Sequence, residues 1–284
     1  MASTTKRPRT NKLLSEDLIP LRDFACQLAD AAAEITLRYF REPVDVENKA
    51  TGLDFDPVSI ADKQAEQVIR SLISEAFPEH SVIGEELEAK SGSSAYVWII
   101  DPIDGTRGFL AGVPLWGTLI ALNNGTKPIL GLVDQPYLQE RFIGIQTDEM
   151  SEASLTRRGK TTPLNTRAGT QLSDAIITCT TPAMFKTETE RRAFDELEQR
   201  CRLSRYSLDC YGYCLLAAGT IDLVVEANLA PYDIQALIPI IHAAGGKVTD
   251  WRGAPPYQGG QVLAAANEKL HGEALEILSQ AAHG

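Results

Sequence analysis

Residues 98–110 read WIIDPIDGTRGFL. An apolar run, Tyr96 to Ile100, leads straight into Asp101, and Asp104 follows three residues later with Pro102 between them and Gly105-Thr106 behind. The run is continuous rather than alternating, which predicts a central strand covered on both faces. Pro102 has no N–H and cannot carry a ladder onward, so a turn starts there and folds Asp104 back beside Asp101. Two carboxylates that close repel, and a positive group between them resolves the conflict. Gly105 permits a tight backbone, and Thr106 opens a short helix whose N–H groups suit an anion. Divalent cations between the carboxylates and a phosphate satisfy every part of this pattern. For a bare DxxD, a strand-end turn in which Asp caps the helix explains as much.

Two further acidic segments bracket this one. SVIGEELE, residues 81–88, ends a strand at Gly84 and places Glu85 and Glu86 directly after it. Read alone, this is an acidic helix start. It precedes the DPIDGT strand by a single excursion, so Glu85 can lie beside Asp101. In APYDIQALIPIIHAAGGKVTDWRG, residues 230–253, Asp233 stands where an amphipathic helix begins, and Gly245-Gly246 end it. Capping is the plain role of Asp233.

Periodicity organises the rest. Helices are predicted over 15–40, with Leu18, Leu21, Phe24, Leu28, Ala32, Ile35 and Tyr39 on one stripe, and over 60–77, with Ala65, Val68, Ile69, Leu72 and Ile73 inward. Strands follow at 81–84, 96–100, 115–122, 128–134 and 140–146, read as an antiparallel meander. A polar stretch over 150–170 marks a crossing between subdomains. Beyond it, strands at 175–180, 203–207, 221–226 and 262–266 alternate with helices at 188–201, 210–218, 233–246 and 268–282. The expected organisation is a disordered basic arm (1–14), an N-terminal α+β subdomain holding the metal site (15–150) and a C-terminal α/β subdomain (151–284), forming one layered α/β catalytic unit.

A net charge of −11 opposes general nucleic-acid binding, which needs a positive footprint. It leaves room for a phosphorylated substrate where bound cations reverse the local sign. Apolar runs such as 237–241 are too short to span a bilayer, and the start lacks the apolar core of a secretion signal. Five cysteines without a CxxC argue against a disulfide framework or a zinc cluster and fit a reducing compartment, the cytoplasm. His242 reads as a packing or surface residue, and His80 and His271 as surface residues. Trp98, Trp116 and Trp251 read as core or edge packing.

The order GEE, DPIDGT, then YD near an AGG helix end resembles the inositol-monophosphatase superfamily from about Leu21 onward. That resemblance implies a sugar-phosphatase αβαβα sandwich and a lithium-sensitive, magnesium-dependent phosphomonoesterase that binds two or three ions and forms a homodimer. Carried across, Glu85, Asp101 and the Ile103 carbonyl hold one magnesium, and Asp101, Asp104 and Asp233 another. Thr106 with Glu85 orients and helps deprotonate the attacking water. Gly105 and Thr106 N–H groups receive the phosphate. The segment 49–62 looks like the mobile lid, with Lys49, Asp56 and Ser59 assisting, and Glu86 supports the metal ligands. No cysteine or histidine is recruited, which suits magnesium over zinc.

PYDIQALIPIIHAAGG and LDCYGYCLLAAGTIDLVVEANLAPYD look more like the histidinol-phosphatase branch. Histidinol phosphate carries an ammonium and an imidazole. Asp209 and Glu226 can pair with the cation, Tyr211 can pack on the ring, and Arg107 can touch substrate. Asp209 equally reads as the N-cap of the 210–218 helix, and Arg107 as a surface ion-pair partner. Inositol monophosphate or another small sugar phosphate is the alternative substrate. A silent scaffold and a nucleotide-directed phosphatase fit less well.

Overall fold

The computed structural model describes residues 15–43, 46–48 and 57–282. The basic arm, Lys49 and Asp56 lie outside the described residues. In chain order the elements are α1 (Ser15–Tyr39), β1 (Val46–Asn48), β2 (Pro57–Ser59), α2 (Ile60–Ala76), β3 (Ser81–Gly84), β4 (Val97–Asp104), α3 (Thr106–Leu110), β5 (Gly117–Asn123), β6 (Pro128–Gln135), β7 (Glu140–Gln146), β8 (Ser151–Arg157), β9 (Lys160–Pro163), β10 (Ile176–Cys179), α4 (Glu188–Arg200), β11 (Leu203–Tyr206), α5 (Cys210–Ala217), β12 (Leu223–Leu229), α6 (Pro231–Ile234), α7 (Leu237–Ala243), β13 (Lys247–Thr249), β14 (Gly260–Ala265) and α8 (Glu268–Leu278).

A seven-stranded sheet runs in order β3-β4-β5-β6-β7-β8-β9, and a five-stranded sheet in order β11-β10-β12-β14-β13. Strand side chains alternate faces, and three apolar clusters show what covers each face. Trp98, Ile100, Ile120, Leu122, Leu130 and Leu132 point one way, onto Leu21, Leu28 and Ala32 of α1 and Ala65, Ile69 and Ile73 of α2. Ile99, Leu119, Ala121, Val133 and Phe142 point the other way. They meet Tyr213 and Cys214 of α5, Leu237 and Ile241 of α7, and the near face of the second sheet through Val224, Val262 and Ala264. The far face of that sheet, with Ile177, Leu223, Val225 and Leu263, buries Phe194 and Leu197 of α4 and Leu270 and Ala274 of α8. The layers are therefore α-β-α-β-α, as expected for the sandwich.

Several local expectations need correction. β3 pairs with β4 in parallel, not antiparallel, although β4 through β9 do form a meander. β8 and β9 carry the first sheet past residue 150 to Pro163; their sequence is polar because β9 is an exposed edge. The 233–246 helix is two helices, α6 and α7, with Gln235-Ala236 between them. Gln235 is buried there: its amide donates to the Tyr257 carbonyl at 2.8 Å and its Oε1 accepts from Asn123 at 2.9 Å. His80 and His271 are buried, not superficial. His80 Nδ1 accepts from Trp98 Nε1 at 3.1 Å and stacks on Phe77, and His271 meets Thr249 Oγ1 at 2.8 Å. His242 Nε2 accepts from the Val248 N–H at 3.2 Å. All three tryptophans are fully buried, and the five cysteines are free. No helix among the described residues is long and apolar enough to cross a membrane.

Candidate active site

The parallel pairing of β3 with β4 begins the site. Gly84 registers with Ile100, so the next residues, Glu85 and Asp101, leave the same sheet edge side by side. The Glu85 N–H still donates to the Ile100 carbonyl at 3.2 Å, and the Glu85 charge acts on the Asp101 carboxyl. An antiparallel pair would have sent Glu85 to the far end of the strand.

A bulge supplies the second carboxylate. Residues three apart on a regular strand face opposite ways. Asp101 registers with Leu119 and Asp104 with Gly117, so Pro102 and Ile103 together oppose Thr118 alone. The extra residue restores the parity and turns Asp104 to the face Asp101 occupies. Pro102 tolerates this because it has no donor to lose, and its carbonyl accepts from Thr118 Oγ1 at 2.8 Å. Asp101 Oδ1 accepts from the Ile103 N–H at 3.0 Å, closing the turn.

The third carboxylate arrives from the other sheet. β12 runs into α6, which carries Asp233, and its Oδ2 accepts from the Ala230 N–H at 2.7 Å. The capping role is therefore real, and it fixes the carboxylate for a second purpose. One oxygen each from Asp101, Asp104 and Asp233 lie within 4.8 Å of one another. Asp104 is tied to the second half as well, since the Cys210 N–H at the start of α5 donates to its Oδ2 at 2.7 Å.

Burial pushes the Asp101 carboxyl well above the ordinary carboxylate range, and the charges of Glu85, Asp104 and Asp233 push it further. Burial likewise raises Asp104, with Asp209 and Asp233 adding to it and the contact with Cys210 opposing it. Hard oxygen donors, mutually repelling and short of water, fit a divalent cation of the magnesium type.

Beyond the bulge, Gly105 takes φ 85°, a left-handed backbone that glycine adopts without strain, and caps the one-turn α3. Thr106 Oγ1 donates to the Ile103 carbonyl at 3.1 Å, joining the nucleophile-orienting candidate to the carbonyl expected to bind metal. Arg107 is exposed.

Asp209 stands at the N-cap position of α5, yet its side chain makes no capping hydrogen bond. Its backbone is held at φ 47°, ψ −142°, and a Cβ built on Gly105 would lie 3.3 Å from its carboxylate. Burial pushes its pKa above the ordinary carboxylate value, while a hydrogen bond with Thr180 and the charge of Arg107 pull it down. Glu226 on β12 is buried behind the same threonine. Its Oε1 accepts from Thr180 N–H at 2.9 Å and Oγ1 at 2.6 Å, and its Oε2 accepts from Tyr213 OH at 3.0 Å. Burial above all pushes Glu226 up to about 7. Tyr211 is placed differently from the expectation: its hydroxyl donates to Glu140 Oε2 at 2.6 Å and its ring packs edge-on to Phe142.

Two carboxylates escaped the sequence reading. Asp62 is fully buried on α2; its Oδ2 accepts from Ser59 N–H at 2.9 Å and Oγ at 2.6 Å, while its Oδ1 has no hydrogen-bond partner. The Glu85 charge acts on it. Ser59, expected to assist from the lid, is thus the N-cap of α2. Glu66, one turn on, is also fully buried and accepts from the Glu86 N–H at 2.7 Å. Both fall on the stripe with Ala65, Ile69 and Ile73, and a carboxylate at a buried helical position is itself a signal, because burial without partners is costly.

Comparison with known proteins gives a consistent picture. The sequence model of the inositol monophosphatase family matches residues 17–283. The chain is 40% identical to the bifunctional phosphatase IMPL2, chloroplastic, of Arabidopsis thaliana, covering 98% of this chain and 82% of that protein. It is 36% identical to the histidinol-phosphatase of Streptomyces coelicolor, covering 89% and 94%. The solved structure of an inositol monophosphatase from Zymomonas mobilis superposes with a TM-score of 0.79 at 36% identity, covering 94% of this chain and all of that one.

Proposed function

The chain belongs to the inositol monophosphatase family and is a phosphoric monoester hydrolase, and we propose that its substrate is L-histidinol phosphate, cleaved with magnesium at the cluster of Asp101, Asp104 and Asp233. The observation that carries the substrate assignment is Asp209. It is a half-buried carboxylate beside the Gly105 turn, in a strained backbone, without the capping bond that would give it a structural role. A substrate with a phosphate at one end and an ammonium at the other gives that charge a partner. An uncharged polyol leaves it with only Thr180 and the more distant charge of Arg107 to offset its desolvation. The histidinol-phosphatase named among the relatives supports the same choice.

When bound, magnesium supplies charge neutralisation at the phosphoryl oxygens and a lowered pKa for coordinated water. The residues that would hold it are Glu85, Asp101, Asp104, Asp233 and the Ile103 carbonyl. Gly105 and Thr106 N–H groups would receive the phosphate. The Thr106 hydroxyl, fixed by its bond to the Ile103 carbonyl, would accept a hydrogen bond from the attacking water and orient it, and the Glu85 carboxylate would take the proton that the water gives up. Asp62 would serve beside Glu85 through its unpartnered Oδ1. Asp209 would take the ammonium, and Thr180 and Tyr213 would hold Glu226 behind it.

Phosphate release from histidinol phosphate and inositol 1-phosphate, each with and without magnesium, tests the assignment. Preference for the polyol ester establishes the alternative reading. In the same assay Asp209→Asn is expected to raise KM for histidinol phosphate by about 10- to 100-fold, the worth of a hydrogen bond to a charged group. KM for inositol 1-phosphate should change far less. Equal effects on both esters would remove the ammonium from the account.

A further inference from the structure

Glu66 and Arg70 stand one turn apart on α2, behind the turn that carries Glu85. Glu66 is 0% exposed. Its Oε2 accepts from the Glu86 N–H at 2.7 Å, and its Oε1 from the Leu87 N–H at 3.2 Å and from Arg70 Nε at 2.6 Å. The two remaining guanidinium nitrogens of Arg70 donate to the carbonyls of Leu87 and Glu88, both at 2.9 Å. Donors and acceptors of residues 86–88 are thus held from one side by a single ion pair. Gly84 makes room for it: a Cβ there would lie 2.2 Å from Glu66 Oε1. Glu85 sits between Gly84 and Glu86, with its own N–H on the Ile100 carbonyl and the next N–H on Glu66.

We infer that Glu66, with Arg70, is a positioning residue that presets Glu85 for the metal. The inference rests on the reading of Glu85 as a metal ligand. A buried carboxylate costs several kcal/mol unless its oxygens are filled, and here the filling donors are the backbone of the turn itself. A loop without regular structure then presents its carboxylate at a fixed place before any ion arrives, which removes the ordering cost from binding. Partners that orient metal ligands from behind are typically worth 10- to 100-fold in affinity.

Calorimetric titration of magnesium into the metal-free full-length protein tests this, with unfolding temperature and kcat measured alongside. Glu66→Gln keeps the shape but sets an amide NH2 against donors. Glu66→Gln and Arg70→Met are each expected to weaken magnesium binding about 10-fold or more, with kcat recovering at excess magnesium. Glu85→Gln is the reference. If it leaves magnesium binding unchanged, the ligand reading fails and the inference with it. If Glu85→Gln weakens binding while Glu66→Gln and Arg70→Met bind as the wild type, the inference alone is overturned, whatever their unfolding temperatures. Should Glu66→Gln not fold, Arg70→Met decides by the same criterion, since that side chain reaches the surface at 14% exposure.

Discussion

Asp104→Asn is expected to lower kcat/KM for phosphate release by at least ~10³-fold, equivalent to about 4 kcal/mol of barrier, while raising the thermal stability of the metal-free protein. The two halves have one cause. Asp104 faces Asp209 and Asp233 in a site where burial alone disfavours the charged form. The asparagine carbonyl can still accept from the Cys210 N–H, so the link between the two sheets persists. What disappears is a negative charge that only a cation balances. The pH dependence has a definite sign. Asp101 and Asp104 have folded-state values raised above the unfolded value, so the folded protein binds their protons more tightly. Their contribution to metal-free stability is fully present at low pH and is lost as the pH climbs from about 4 through the raised folded values. Asp104→Asn should flatten that decline, and magnesium should offset it in the wild type. Scanning calorimetry of both proteins across this range, with and without magnesium, is the measurement. An Asp104→Asn protein less stable than wild type without metal, or one that retains more than a tenth of the activity, contradicts the carboxylate-cluster assignment.

The acidic motifs were legible because carboxylates at the end of an apolar run violate the usual pattern; the alternation of periods of two and 3.6 gave a layered α/β organisation, and the αβαβα order came from the family resemblance. What the pattern could not carry was parity and direction. DPID reads as a turn; only the pairing of Asp101 with Leu119 and Asp104 with Gly117 shows a bulge that keeps both side chains on one face. Nothing local tells whether SVIG runs parallel to YVWII, yet that choice alone places Glu85 beside Asp101. Asp62 and Glu66 were hidden for another reason. They sit on the inward stripe of α2, where attention to apolar residues passed over them, although two carboxylates four apart among Ala65, Ile69 and Ile73 are an anomaly that sequence alone displays. Asp209 shows the reverse. Its position allowed a capping role, and only the observed backbone and the missing bond speak against that role.

Gly131→Ala is expected to cost about 3 kcal/mol of stability or more, at the upper end of overpacking effects, and to lower the unfolding temperature by roughly 6–12 °C. Ala121, Gly131, Gly144 and Ala153 are direct cross-strand partners on β5, β6, β7 and β8, forming a row without bulk across the first sheet. The junction of α6 and α7 lies in that row. A Cβ at Gly131 would stand 1.8 Å from the Ala236 carbonyl oxygen, and one at Gly144 would stand 2.3 Å from the Ile240 Cα. Both obstacles are backbone, which cannot swing aside as a side-chain tip can. Relief requires the helix pair to lift from the sheet, and Asp233 sits three residues before Ala236 on the segment that would move. Stability and activity should therefore fall together in Gly131→Ala, whereas an alanine at Gly272, exposed inside α8 with open space around it, should raise stability by up to about 1 kcal/mol and leave activity unchanged. The activity loss should appear largely as a raised magnesium requirement, because the displaced group is one of three carboxylates converging from two sheets. Thermal unfolding and a magnesium titration of kcat check both effects. A Gly131→Ala protein that melts within a degree or two of wild type and keeps its magnesium requirement would show that the helix pair is not seated in this row.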